Sequence, residues 1–205
     1  MFFLLRIIGI IHGDGVVEEL LPCSKFAYPV VLLARSQSSL DPLVQGINQD
    51  GGSAIGIPAD VTDAGSINST LKHIEQQFGS DLTVSAAVFN VASKFTRVPF
   101  LDSGSEASNF SKAVLPLMLR AASQVELRHP PTMIVTGATA AMKGGSGLGS
   151  FAMSKFAVRA LSQSLAHESG PKGVHVAHAI IDWIIATEKT KSYKNDMPDA
   201  KIDPN

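Results

Sequence analysis

The sequence predicts an α/β fold, a doubly wound parallel sheet with helices on both faces and therefore three layers (α/β/α). Three observations carry this. Short apolar runs rich in Val and Ile alternate with longer stretches of helical period. Several of those runs carry apolar residues on both faces, as strands buried in a parallel sheet should. Helical segments regularly separate consecutive runs, which gives right-handed crossovers between parallel neighbours.

The strands are expected at residues 2–8, 29–35, 54–58, 83–89, 132–136 and 174–181. The first lies in the apolar opening "MFFLLRIIGII", which is too short to span a bilayer, is interrupted by Arg6 and has no small-residue cleavage site after it. It reads as a buried strand, and no membrane partner is expected. Among the helices, "DPLVQGINQ" is expected to open with Asp41 as N-cap and Pro42 in the first turn. The next follows Asp63 as cap, with Ile67, Leu71, Ile74 and Phe78 at helical spacing and Gly79 as its stop. "GSFAMSKFAVRALSQSLAHESGP" is a longer helix, ended by Gly170 and Pro171. Residues 1–187 make one domain, and 188–205 read as a polar tail.

Composition narrows the function. At 205 residues, 45% hydrophobic and 17% charged, the chain is globular and fits a single core. A formal charge of -1, with no Lys/Arg block, argues against nucleic acid as a partner. Cys23 is the single cysteine, so no internal disulfide forms and a reducing, cytoplasmic setting is expected. No neighbour would activate Cys23, which reads as a small buried apolar residue. His175 and His178 stand three apart on a strand and so face opposite ways, which argues against a shared metal. They read as satisfied or exposed histidines, and no metal is expected.

In a doubly wound sheet ligands bind beyond the carboxyl ends of the strands, at the point where strand order reverses. After the first strand, "GIIHGDG" places glycines at Gly9, Gly13 and Gly15, where backbone amides can approach a pyrophosphate. The same spacing also suits an ordinary turn from strand to helix. Asp14 sets a negative charge in that loop, and Pro22 falls inside the helix expected to follow, a cost of roughly 3 kcal/mol at an interior position. After the second strand come Arg35 and Ser36. An acidic residue there suits the ribose 2′-hydroxyl of NAD, whereas arginine suits a 2′-phosphate, so NADP is expected in preference to NAD. "ADVTD" supplies Asp60 and Val61, and "FNVAS" supplies Asn90, Val91, Ala92 and Ser93. Such residues can face an adenine edge or a ribose, and can equally serve as caps or loop hydrogen bonds.

In this order, Gly9-x3-Gly13-x-Gly15, Arg35, "ADVTD", Asn90 in "FNVAS", "IVTGATA" and "FAMSKFAVRALSQSLA" resemble the short-chain dehydrogenase/reductase family, which has a Rossmann-type fold. The resemblance runs from about residue 5 to 187. "GPKGVHVAHAIID" matches the strand after the active-site helix, with Ile181, Asp182 and Trp183 near the place of the family's usual Pro-Gly. In that family a tyrosine gives or takes the substrate proton, a lysine lowers its pKa and holds the nicotinamide ribose, and a serine orients the carbonyl.

The resemblance puts Lys155 on the lysine and Phe151 on the tyrosine, a ring without the hydroxyl. Thirteen residues before Phe151 stands Ala138 in the place of the serine, with Thr139 adjacent as its substitute. Asn109 is a remote candidate for the family's active-site asparagine, and the family's final strand has no match. Tyr193, in "KSYKND", can either swing over the site as a substitute acid or pack its own segment.

The implied activity is NAD(P)-dependent hydride transfer to or from a carbonyl, an alcohol or an activated double bond of a small molecule, weakened by the missing acid. The resemblance also implies a homodimer or homotetramer, packed through the helices bearing "VLPLMLR" and "SKFAVRALSQS". Two other readings stay open at this level: a catalytically impaired nucleotide-binding or interaction module, and an incomplete chain that lacks the last strand.

Overall fold

In the computed structural model, which describes residues 4–12, 29–79, 81–91, 106–124, 129–182, 184–185 and 201–202, six strands pair in parallel in the order β3-β2-β1-β4-β5-β6. They are β1 (Leu4–His12), β2 (Pro29–Ala34), β3 (Ser53–Pro58), β4 (Thr83–Val91), β5 (Thr132–Ala138) and β6 (His175–Ile181). The chain builds outward from β1 to β3, then returns to lay β4 on the other side of β1. That reversal opens the crevice between β1 and β4 at their carboxyl ends. The expected doubly wound α/β sheet is present.

The helices are α1 (Gln37–Gln49), α2 (Ala64–Phe78), α3 (Glu106–Ala122) and α4 (Gly149–Ser169). The start of α2 follows the sequence: Asp63 Oδ1 accepts the Gly65 amide at 2.8 Å, and Ile67 and Ile74 are buried. Gly79 stops it at a φ of 95°, a conformation that favours glycine.

Two helix ends differ from expectation. Helix α1 begins at Gln37, not at Asp41, so Ser36 takes the cap position and Pro42 lies inside the helix. The buried stripe explains this: Leu40 and Ile47 are fully covered, seven residues apart, and seating Leu40 on the sheet needs helix before Asp41. Gln37 Nε2 donates to Asp41 Oδ1 at 2.7 Å, bridging the first turn. Gly56 of β3 lies directly below, where a Cβ would stand 2.8 Å from that of Leu40. At the end of α4, Gly170 keeps a right-handed conformation and the chain runs on through a 3-10 turn, Gly170–Lys172. Gly173, at a φ of 83°, makes the turn instead.

The larger core lies on one face of the sheet. There Val31, Leu33, Ala87, Phe89, Met133 and Val135 meet the apolar sides of α2, α3 and α4. Phe89 and Phe110 fix α3 on β4, their ring centroids 5.3 Å apart. On the opposite face Val30, Leu32 and Ala54 pack against Leu40 and Ile47. Among the described residues no strand pairs with the outer side of β6. Instead β7 (Ile184–Ile185) and β8 (Lys201–Ile202) form a separate parallel pair, which places two residues of the expected polar tail in a strand. Among the described residues no helix is long and apolar enough to cross a membrane.

Candidate active site

Because the six strands are parallel, the residues that follow them gather along one edge of the sheet. Asp60 and Arg35 stand on one side of the β1/β4 crevice, Thr139 and Asp182 on the other, with Asn90 near the end of β4 itself. Sequence order alone does not give this grouping; the strand order does.

Gly9 is not part of the loop. It lies inside β1, opposite Leu32 and Val88, because Ile10, Ile11 and His12 continue the ladder to Phe89, Asn90 and Val91. Gly13, Asp14, Gly15, Pro22 and Cys23 lie outside the described residues, as do Ala92, Ser93, Trp183 and Tyr193.

Arg35 is exposed at the mouth of α1. Beside it the hydroxyls of Ser36 and Ser39 lie 2.8 Å apart, and Ser38 donates to Ser36 at 3.3 Å. The first turn of α1 contains no acidic residue. Asp60 shapes its own loop, since its carboxylate accepts the Thr62 amide at 2.9 Å and the Thr62 hydroxyl at 2.7 Å. The side chain of Val61 is buried in the main core. Asn90 is partly buried in β4 opposite Ile11, and Asn109 is partly buried in the first turn of α3.

Phe151 and Lys155 do share a face at the start of α4. Lys155 is only 7% exposed, and its Nζ lies 5.9 Å from the centroid of the Phe151 ring. At this range the cation is attracted to the ring's negative face, so a contact survives where a hydroxyl would be expected. A buried ammonium is costly to hold without such partners.

Thr139 opens a 3-10 turn, Thr139–Ala141, immediately after β5. Its carbonyl accepts the amides of Met142 at 2.9 Å and Lys143 at 3.2 Å, and Arg159 of α4 donates to the Ala141 carbonyl at 3.3 Å. The Thr139 hydroxyl donates to Oδ1 of Asp182, which follows β6. Asp182 is the site residue the sequence left without a role. Its only signal was its position where the family carries Pro-Gly.

His178 is neither exposed nor satisfied, contrary to the sequence expectation. Its Nε2 is buried with no hydrogen-bond partner, and its ring lies over Gly137 of β5, where the absent side chain makes room. Burial lowers its pKa, and the positive charges of Arg159 and Lys155 lower it further. The folded state therefore prefers the neutral ring. That preference stabilises the protein above the unfolded value of 6.5 and is lost as the pH falls below it. Urea midpoints should accordingly drop between pH 7.5 and 5.5, and the drop should be smaller in His178→Gln. Equal pH slopes in the two proteins would show that another group is responsible. Among the described residues no cluster of His, Cys, Asp or Glu could hold a metal.

The family model described as enoyl-(acyl carrier protein) reductase matches residues 23–202. Among solved structures, a short-chain dehydrogenase from Rhodopseudomonas palustris is 26% identical, with 85% of this chain and 84% of that one covered and a TM-score of 0.70. A short-chain dehydrogenase from Salmonella enterica subsp. enterica serovar Typhi str. CT18 superposes over 97% of this chain and 85% of its own, with a TM-score of 0.78 at 18% identity. An NAD+-bound xylitol dehydrogenase gives 0.75 at 17% identity, over 89% of this chain and 71% of its own. No curated protein matches the sequence. With the family match running from residue 23 to 202, well over half of its length, this chain belongs to the short-chain dehydrogenase/reductase family of oxidoreductases.

Proposed function

We propose that the protein is an NADP-preferring oxidoreductase of low activity, acting on a small molecule that carries a carbonyl, an alcohol or an activated double bond. The observation that carries this reading is Lys155. A buried ammonium at the start of α4, one helical turn after Phe151, suits a nicotinamide ribose. When bound, the nicotinamide supplies or accepts the hydride.

The donor set fits the rest of such a nucleotide. The guanidinium of Arg35, the neighbouring serine hydroxyls and the amino end of the 13-residue α1 make a place for a 2′-phosphate. In this reading Asn90, paired with Ile11 near the end of β4, and Val61, next to Asp60, serve the adenosine part of the nucleotide. Arg35→Ala should cut the preference for NADPH over NADH by about tenfold, the value of one charge-assisted hydrogen bond. Titration of nucleotide fluorescence with each cofactor measures it. Equal or tighter binding of NADH by the unmodified protein sinks the NADP assignment.

A second reading rests on Phe151: without a hydroxyl at that position, the scaffold can bind nucleotide and do no chemistry. Firm NADPH binding without turnover on any carbonyl or alcohol would favour it. Met153 and Phe156 are exposed on α4, in keeping with a homodimer or homotetramer packed through α3 and α4. A cytoplasmic location rests on the single cysteine.

A further inference from the structure

The pair formed by Thr139 and Asp182 has a polarity that the family's serine lacks. A hydroxyl owns one proton and two acceptor lone pairs, and a carboxylate can only accept. The proton of Thr139 goes to Asp182. What the oxygen keeps for a ligand is therefore a lone pair.

The turn that carries Thr139 is held at its backbone. Its carbonyl is committed to Met142 and Lys143, and Arg159 ties the same 3-10 turn to α4. Two helical turns of α4 separate Arg159 from Phe151, so one helix carries both the clamp on the turn and the ring of the site. Phe151 has no donor to offer, and the ammonium of Lys155 lies against its ring. With the Lys155 ammonium given to the nucleotide by the reading above, Thr139 and Phe151 together offer an acceptor where the resemblance implies hydroxyl donors.

We propose that Thr139, polarised by Asp182, selects a ligand that donates a hydroxyl, so that the site takes alcohols in preference to carbonyl compounds. Asp182 is a positioning residue here, acting only through Thr139. This inference rests on the oxidoreductase reading above for its biological sense, though the polarity can be measured without any turnover.

Two probes of similar size separate the cases. Tert-butanol donates a hydroxyl and has no carbinol hydrogen to lose, while N,N-dimethylacetamide offers only an acceptor carbonyl that is not reduced under these conditions. Saturation-transfer NMR titrations of both are run with and without NADPH on the parent, Asp182→Ala and Thr139→Val. The parent should bind the alcohol roughly tenfold more tightly than the amide, the value of about one hydrogen bond. In Asp182→Ala the hydroxyl proton is released from the carboxylate and can be donated to a ligand, so the ratio should collapse or invert. Mere loosening of the site would weaken both probes and leave their ratio unchanged. Thr139→Val should abolish the preference without reversing it, and it provides the test should Asp182→Ala fail to fold. An unchanged ratio in either variant, or no preference in the parent, overturns the inference. A parent that prefers the alcohol yet does not bind NADPH would instead remove the oxidoreductase reading and leave the polarity standing.

Discussion

Phe151→Tyr should raise turnover with nicotinamide cofactor by at least about tenfold, the lower part of the range typical for a positioned general acid or base. The geometry for this exists already. Phe151 is held in the first turn of α4, with the Lys155 ammonium 5.9 Å from its ring centroid, and tyrosine sustains the same cation-ring contact. The added hydroxyl would then lie in the field of a buried cation, which favours the phenolate and so lowers its pKa towards the range useful near neutrality. NADPH oxidation against aldehydes, quinones and diketones, and NADP+ reduction against secondary alcohols, should both be followed. Adding Ala138→Ser should increase the gain, because a hydroxyl at the end of β5 can orient what the tyrosine protonates. Should both variants bind NADPH and remain as inert as the parent, the distance from residue 151 to the substrate has been lost, and the binding-module reading takes over.

What could be read from the sequence follows from which interactions are local. The six strands were legible because each is an apolar run rich in β-branched residues, and their edges moved by a few residues: β1 and β5 run on past Gly9 and Gly137, which sit inside ladders, and β4 runs on to Val91. The cap at Asp63 needs only three consecutive residues, and it stands where expected. The start of α1 was misplaced because Asp41-Pro42 is a strong local signal, while burial of Leu40 on the sheet is a tertiary one. The pairing of Phe151 with Lys155 was legible from one helical turn. The partnership of Thr139 with Asp182 was not, since 43 residues separate them and only the pairing of β5 with β6 brings them together. For the same reason His178 looked unremarkable: its environment is made by Gly137, Lys155 and Arg159, none of them near it in sequence.

Gly137→Ala is expected to cost about 1–3 kcal/mol of stability, the usual penalty for forcing an extra carbon into a packed site. A substitution of glycine by alanine in an extended strand should otherwise gain about 0.4–1 kcal/mol by restricting the unfolded chain. The sign therefore depends on what the new methyl meets. Val135 pairs with His178 and Gly137 with Ile180, so all four side-chain positions fall on one face of the sheet. The His178 ring leans along β6 into the space above Gly137, and a Cβ there would run into Nε2 and Cε1 of the imidazole. To yield, the ring must turn towards the charges of Lys155 and Arg159 or displace β5. Displacing β5 would carry Thr139, two residues further on, away from Asp182. The control is a double-mutant cycle read by urea denaturation. In a His178→Ala background the obstacle is gone, so Gly137→Ala should there be neutral or stabilising, although His178→Ala alone loses packing. The same loss in both backgrounds would mean that the imidazole is not what excludes a side chain at residue 137, and that the glycine serves the strand itself.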